Sequence, residues 1–257
     1  MTDDSIEQCF VTGSKNSVTD DLKDLSKPYV TRGITQKPEI EFCIKNQRDY
    51  YFIDTGYLGN FPSPGNPSGK KKFHRIVKND IQHCRLADNF ATDRWSALVK
   101  SDPRLRWTGW KDHRKKILLV LPNPKACRFY GIDQEKWVDQ TTNKIKSQSD
   151  LPIEVRVKGS RSYRNKEYTI YDAFDSGVYA TVAFNSIAAL ESVLYGIPAF
   201  VSVPCAAAPL SSMELDLTKL VRPAQDKIDQ HCRRLAYGQF TVEEIKSGHA
   251  WEILKKE

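Results

Sequence analysis

Residues 179–204, YATVAFNSIAALESVLYGIPAFVSVP, admit few folds. The first six are an apolar, β-rich run with the length of a buried strand, stopped by Asn185 and Ser186, both good helix N-caps. Apolar side chains then recur at Ile187, Leu190, Val193 and Leu194, the spacing of one helix face, until Gly196 supplies a C-terminal stop and Pro198 forbids continuation. Residues 199–203 return to strand. A β-α-β unit with a helix of about ten residues lies near the minimum for a parallel crossover, so the sheet here is expected to be parallel and buried.

The chemistry of the stretch sits at the strand-to-helix turn. Free backbone N–H groups and the positive end of the helix dipole gather where Asn185, Ser186 and Ile187 begin the helix, an arrangement that suits a phosphate. Glu191, about a turn and a half further on, carries a carboxylate able to accept hydrogen bonds from ribose hydroxyls. The same letters also suit a purely structural helix.

The first half reads as strand 8–13, a short helix at 21–25, strand 29–33, helix 39–46 and strand 49–56, an alternation that predicts a parallel open sheet. Ligands gather outside the carboxyl ends of such strands, so Gly13, Ser14, Asp54, Thr55 and Tyr57 are expected on one edge. Asp54 there is either a general base for an acceptor hydroxyl or a cap on the following turn. Residues 61–69, FPSPGNPSG, read as a loop, and the basic segment KKKFHR follows with Lys70, Lys71, Lys72, His74 and Arg75. A second basic cluster at 104–116 interleaves Trp107 and Trp110. Both clusters suit a phosphate backbone with aromatic stacking, and the second equally suits a linker whose tryptophans are buried.

The second half opens on KILLVLP, 116–122, a central strand, followed by a polar loop at 123–130. A helix at 134–147 carries Trp137 on its buried face, and strand 153–158 leads into a short helix at 171–176. After the β-α-β stretch come a small-residue loop at 205–212 with room for a ligand, then helices at 224–237 and 241–247.

Composition narrows the class. With 257 residues and 40% hydrophobic content the chain can bury a full core, and 39 Lys plus Arg against 32 Asp plus Glu, net +7, favours an anionic partner without requiring one. The six cysteines have no zinc-site spacing and read as free thiols of a reducing cytoplasm. The acidic N-terminus and the lack of an apolar run of about 18 residues predict neither secretion nor membrane insertion. His74, His83, His113, His231 and His249 are dispersed, and no paired carboxylates at a strand end offer a metal site.

The spacing Ser186, four residues, Glu191, four residues, Gly196, one residue, Pro198 resembles the donor-binding motif of glycosyltransferases with the two-domain GT-B architecture, over roughly residues 116–204. The resemblance implies an α/β fold of two Rossmann-like parallel-sheet domains facing a cleft: an acceptor domain at 1–115, a donor domain at 116–221, and C-terminal helices at 222–257 packing across both. It implies a nucleotide-sugar co-substrate, UDP-linked, with no metal or other cofactor required. Glu191 would hold the ribose and Asn185, Ser186 and Ile187 the diphosphate, with Gly13 completing the donor set. In family members that build capsule and lipopolysaccharide sugars the strand matching 153–158 often ends in a cation, which nominates Lys158, with Arg161 and Arg164 in the loop beyond. Asp54 would be the base. The small size and basic loops also look like phage glycosyltransferases that decorate 5-hydroxymethyl pyrimidines in double-stranded DNA. A capsule or cell-surface glycan acceptor, a non-catalytic nucleic-acid-binding α/β protein, and an α/β enzyme using another phosphate ligand are the competing readings.

Overall fold

The computed structural model describes residues 5–60, 72–157 and 169–256. Its elements run α1 (Ile6–Gly13), β1 (Tyr29–Arg32), α2 (Lys37–Lys45), β2 (Tyr50–Thr55), β3 (His74–Lys78), α3 (Asp93–Ser101), β4 (Lys116–Val120), α4 (Pro124–Tyr130), α5 (Gln134–Lys146), β5 (Ile153–Arg156), α6 (Ile170–Asp175), β6 (Val178–Ala183), α7 (Ile187–Leu194), β7 (Ala199–Val201), α8 (Gln225–Tyr237), β8 (Gln239–Phe240), α9 (Val242–Lys246) and α10 (His249–Leu254). The chain divides into two units, the first made of Met1–His83, Asn89–Asp102 and Cys232–Glu257, the second of Cys84–Asp88 and Pro103–His231.

In the first unit the strand order is β1-β2-β3-β8. Only β1 and β2 are parallel; β3 runs antiparallel to both β2 and β8. The sheet is therefore mixed, which corrects the expectation of a parallel sheet. The residues 8–13 are helix, not strand. Ser5 caps α1 by accepting from the Gln8 N–H, and Ile6, Cys9, Phe10 and Gly13 fall on one buried face at helical spacing. That face meets the C-terminal helices, where Phe10, Tyr51 and Trp251 pack edge to face with centroids 5.4–6.1 Å apart. Residues 21–25 form turns, with the Asp21 and Asp24 carboxylates accepting from the N–H groups of Lys23 and Ser26.

The second unit holds a parallel sheet of order β5-β4-β6-β7. Ile117, Leu119, Ala180 and Val182 share one core with Ile145 of α5. On the opposite face the Ser192 hydroxyl of α7 donates to Thr181 of β6 at 2.7 Å. Alternation along the strands thus supplies both faces with a helix layer, the condition for a buried parallel sheet. The run at 205–207 packs inward rather than leaving room: Cys205, Ala206 and Ala207 are buried, and the Ala206 carbonyl lies 2.6 Å from His231 Nε2.

None of the six cysteines is in a disulfide, and of these Cys84 alone is not buried. Burial pushes the Cys205 thiol up to about 11. A thiol reagent such as DTNB is therefore expected to label one cysteine per native chain quickly and the rest only on unfolding; two or more fast thiols would contradict this packing.

Candidate functional site

The connections of the second sheet locate a crevice. From β4 the chain crosses through α4 and α5 to β5 on one side, and from β6 it crosses through α7 to β7 on the other. Strands β4 and β6 are neighbours, so the order reverses between their carboxyl ends, the place where open α/β sheets bind ligands. Both strands end in a helix cap. After β4, Asn123 accepts from the N–H groups of Lys125 and Ala126 at 2.9 and 3.0 Å, and Pro124 opens α4. After β6, Ser186 caps α7 by accepting from the Ala188 N–H at 3.2 Å.

The Ala189 N–H is bonded to the Ser186 carbonyl, and the Ile187 N–H lies in the first turn, where a helix offers no internal acceptor. Ser186 Oγ keeps its own proton to donate while it caps. Asn185, Ser186 and Ile187 are partly exposed. Together these groups make one compact patch of positive potential, the chemistry that binds a phosphate. Glu191 lies on the same helix among its buried residues, at 9% exposure.

Of the other residues singled out from sequence, some lie outside the described residues and the rest have surroundings of their own. Lys70, Lys71, Lys158, Arg161 and Arg164 lie outside the described residues. Gly13 is a correction: it sits buried at the end of α1, where a Cβ would collide with the Ile245 carbonyl oxygen, so its role is close helix packing. Asp54, near the end of β2, accepts from the Thr55 N–H at 2.7 Å and pairs with Arg75 at 3.0 Å. Arg75 also donates to the carbonyls of Thr55 and Ile81 and lies over the rings of Phe52 and Tyr57. His74 is buried at 7% exposure in β3. Neither His74 nor Arg75 is therefore a surface contact of the kind expected of a nucleic-acid clamp, and Lys72 is the exposed member of that segment among the described residues.

Trp107 and Trp110 pack edge to face at 6.0 Å, and Trp110 Nε1 donates to the Pro223 carbonyl. Their segment lies against the far end of α7, since the Lys111 N–H donates to the Gly196 carbonyl at 2.7 Å and Lys111 Nζ sits 3.2 Å from the Tyr195 ring centroid. Burial there pulls the Lys111 ammonium below its ordinary value. An eight-residue helix spans about 12 Å, so Lys111 stands about a helix length from Ser186. The residues missed by sequence reasoning are Asn123 and the start of α4. The signal was present, an Asn-Pro pair directly after an apolar strand. Among the described residues no group of three His, Cys, Asp or Glu is placed to hold a metal ion.

These features define an α/β protein with one mixed-sheet unit and one doubly wound parallel unit whose switch-point crevice is lined by helix caps. In that class the chain shares its fold with a structure of Thermosulfurimonas dismutans KpsC, beta Kdo 2,4 transferase, at a TM-score of 0.54 and 11% identity, over 96% of this chain and 94% of that one. A second, Thermosulfurimonas dismutans KpsC, beta Kdo 2,7 transferase, aligns at a TM-score of 0.50 and 10% identity over 91% and 87%. No protein-family model matches the chain. No curated protein matches it in sequence.

Proposed function

We propose that this chain is a GT-B-like glycosyltransferase in which the second unit holds a nucleotide-sugar donor and the first binds the acceptor. The observation that carries the reading is the switch-point crevice with the Ser186-capped start of α7, set in a fold that matches two transferases over nearly the whole length of each chain. In the reaction an acceptor oxygen attacks the anomeric carbon as its bond to the phosphate oxygen breaks. Negative charge then collects on the departing phosphate, where the α7 dipole, the Ile187 N–H and the Ser186 hydroxyl stabilise it.

Both structural neighbours are named for Kdo transfer, so a saccharide hydroxyl is the acceptor of choice. A DNA acceptor has little left to carry it, with His74 buried and Arg75 engaged inside the first unit. Asp54 is left out of the mechanism because Thr55 and Arg75 already engage its carboxylate.

Thermal melting against UDP-, GDP-, CDP-, ADP- and CMP-linked sugars tests the reading. A ligand at a hundred times its Kd adds about 2.7 kcal/mol, which raises Tm by roughly 5–10 °C in a chain of this size. One nucleotide class is expected to stabilise the protein, with Ser186→Ala weakening that effect. A flat response to every sugar nucleotide would remove the donor site and the transferase reading with it.

A further inference from the structure

Phe184 is the residue immediately before the phosphate patch, and its ring is covered rather than solvated, at 3% exposure. Two partly exposed rings cover it from the side of α4 and α5. Tyr130, the last residue of α4, packs edge to face on Phe184 with centroids 5.3 Å apart, and Trp137 of α5 stands perpendicular to it at 5.8 Å. Phe129 extends the group, 5.1 Å from Tyr130.

Polar tethers fix this cluster to the ends of the neighbouring strands. The Trp137 indole N–H donates to the Ser202 hydroxyl just beyond β7, at 3.1 Å. Gln134, one turn before Trp137, donates its amide to the Pro122 carbonyl just beyond β4, at 2.6 Å. The rings are thus tethered toward the carboxyl edge of β4, β6 and β7, the edge on which the crevice opens, while Trp137 also packs against the core that covers the sheet face. Aromatic rings held in place there suit stacking against a flat or ring-shaped ligand.

We propose that Tyr130 and Trp137 form the wall against which the nucleobase of the donor stacks. The inference rests on the donor-site reading above. A nucleotide anchored by its phosphate on α7 would cross the end of β6 at Phe184 and Asn185, toward the rings that pack on Phe184. Stacking is tolerant of base identity, so the wall supplies affinity rather than choice of base.

Calorimetric titration of UDP, CDP, CMP, GDP, ADP, the corresponding nucleotide-sugars and inorganic pyrophosphate into the wild type, Tyr130→Leu, Trp137→Leu and Trp137→Phe decides the matter. The expected result is a Kd for the preferred nucleotide that rises about tenfold for each ring removed, with the pyrophosphate Kd unchanged and Trp137→Phe close to wild type. Unchanged pyrophosphate binding also shows that the leucine variants keep their fold. In addition, nucleotide should quench tryptophan emission in the wild type and lose most of that quench in Trp137→Phe, where four of the five tryptophans remain. Nucleotide affinities that ignore both leucine variants overturn the wall while leaving the phosphate patch standing. So does a pattern in which only intact nucleotide-sugars weaken, which would assign the rings to the sugar. If the wild type binds neither nucleotide nor pyrophosphate, the donor site itself falls and the wall with it.

Discussion

Gly196→Val is expected to destabilise the second unit by about 3–5 kcal/mol, the range of a backbone clash combined with left-handed strain. Gly196 follows the C-cap of α7 at φ +83°, a conformation that a β-branched residue adopts only at a cost. A side chain there would also drive its Cβ into the Gly109 carbonyl oxygen, and the neighbouring Lys111 N–H is bonded to the Gly196 carbonyl. The backbone on both sides is committed, so neither can yield cheaply. Gly109→Ala is the control. Gly109 has φ +105° but open space around its missing Cβ, so it should lose only the left-handed strain of about 1–2 kcal/mol. Urea melts of the two variants separate the contributions, and equal losses would show that the close approach at Gly196 is worth nothing. Because Gly196 ends the helix that begins at Ser186, Gly196→Val should also weaken nucleotide binding wherever it still folds.

Arg94→Ala should cost the first unit about 3 kcal/mol, toward the lower end for breaking a partly buried charge pair. The guanidinium of α3 donates to the Ala236 and Gln239 carbonyls at 3.0 and 2.7 Å and grips the Glu244 carboxylate. It also lies over the rings of Tyr237 and Phe240. One side chain therefore binds α3 to the end of α8, to β8 and to α9. Glu244 in turn closes the capping box of α9 by accepting from the Thr241 N–H.

The pair has a pH signature. Desolvation pushes the Glu244 carboxyl up, but the Arg94 and Thr241 bonds pull it further down, so it stands below its ordinary 4.5. A carboxyl lowered on folding contributes stability that is complete above its unfolded value and is lost as pH falls through the folded one. Wild-type stability should thus drop on acidification below about pH 4.5, and Arg94→Ala should show a shallower acid limb. Arg94→Lys should lie between, since a compact ammonium lacks the planar fork whose separate nitrogens reach the two carbonyls and the carboxylate. An Arg94→Ala variant within about 1 kcal/mol of wild type would mean that the network is decorative, as many exposed ion pairs are.

The β-α-β stretch was legible because every signal in it is local. The strand 179–184, the Ser186 cap, the helical spacing and the Gly196 stop all lie within 26 consecutive residues, and β6, α7 and β7 follow that outline. The apolar run at 116–122 likewise could only be a buried strand, and it is β4 at the centre of its sheet. The start of α4 carries a local signal in Asn123 and Pro124, but the polar letters of 123–130 read as a loop, and the helix is a correction to that reading.

Three decisions belonged to tertiary structure. Residues 8–13 carry β-prone letters, yet the buried face begins at Ile6, outside that window, and the C-terminal helices supply the surface on which it packs. The segment containing His74 and Arg75 looked like a basic surface because nothing nearby reveals its partners. It becomes β3 by pairing with β2 on one side and with β8, more than 160 residues away, on the other. That pairing buries His74 and turns Arg75 onto Asp54. The ring group of Tyr130, Trp137 and Phe184 is assembled from two helices and a strand end that share no sequence pattern. Local letters determine which segments can be helix or strand, because capping and periodicity act over one or two turns. Which faces are covered, and which side chains meet at a site, depends on contacts between distant segments, and those exist only once the chain has closed upon itself.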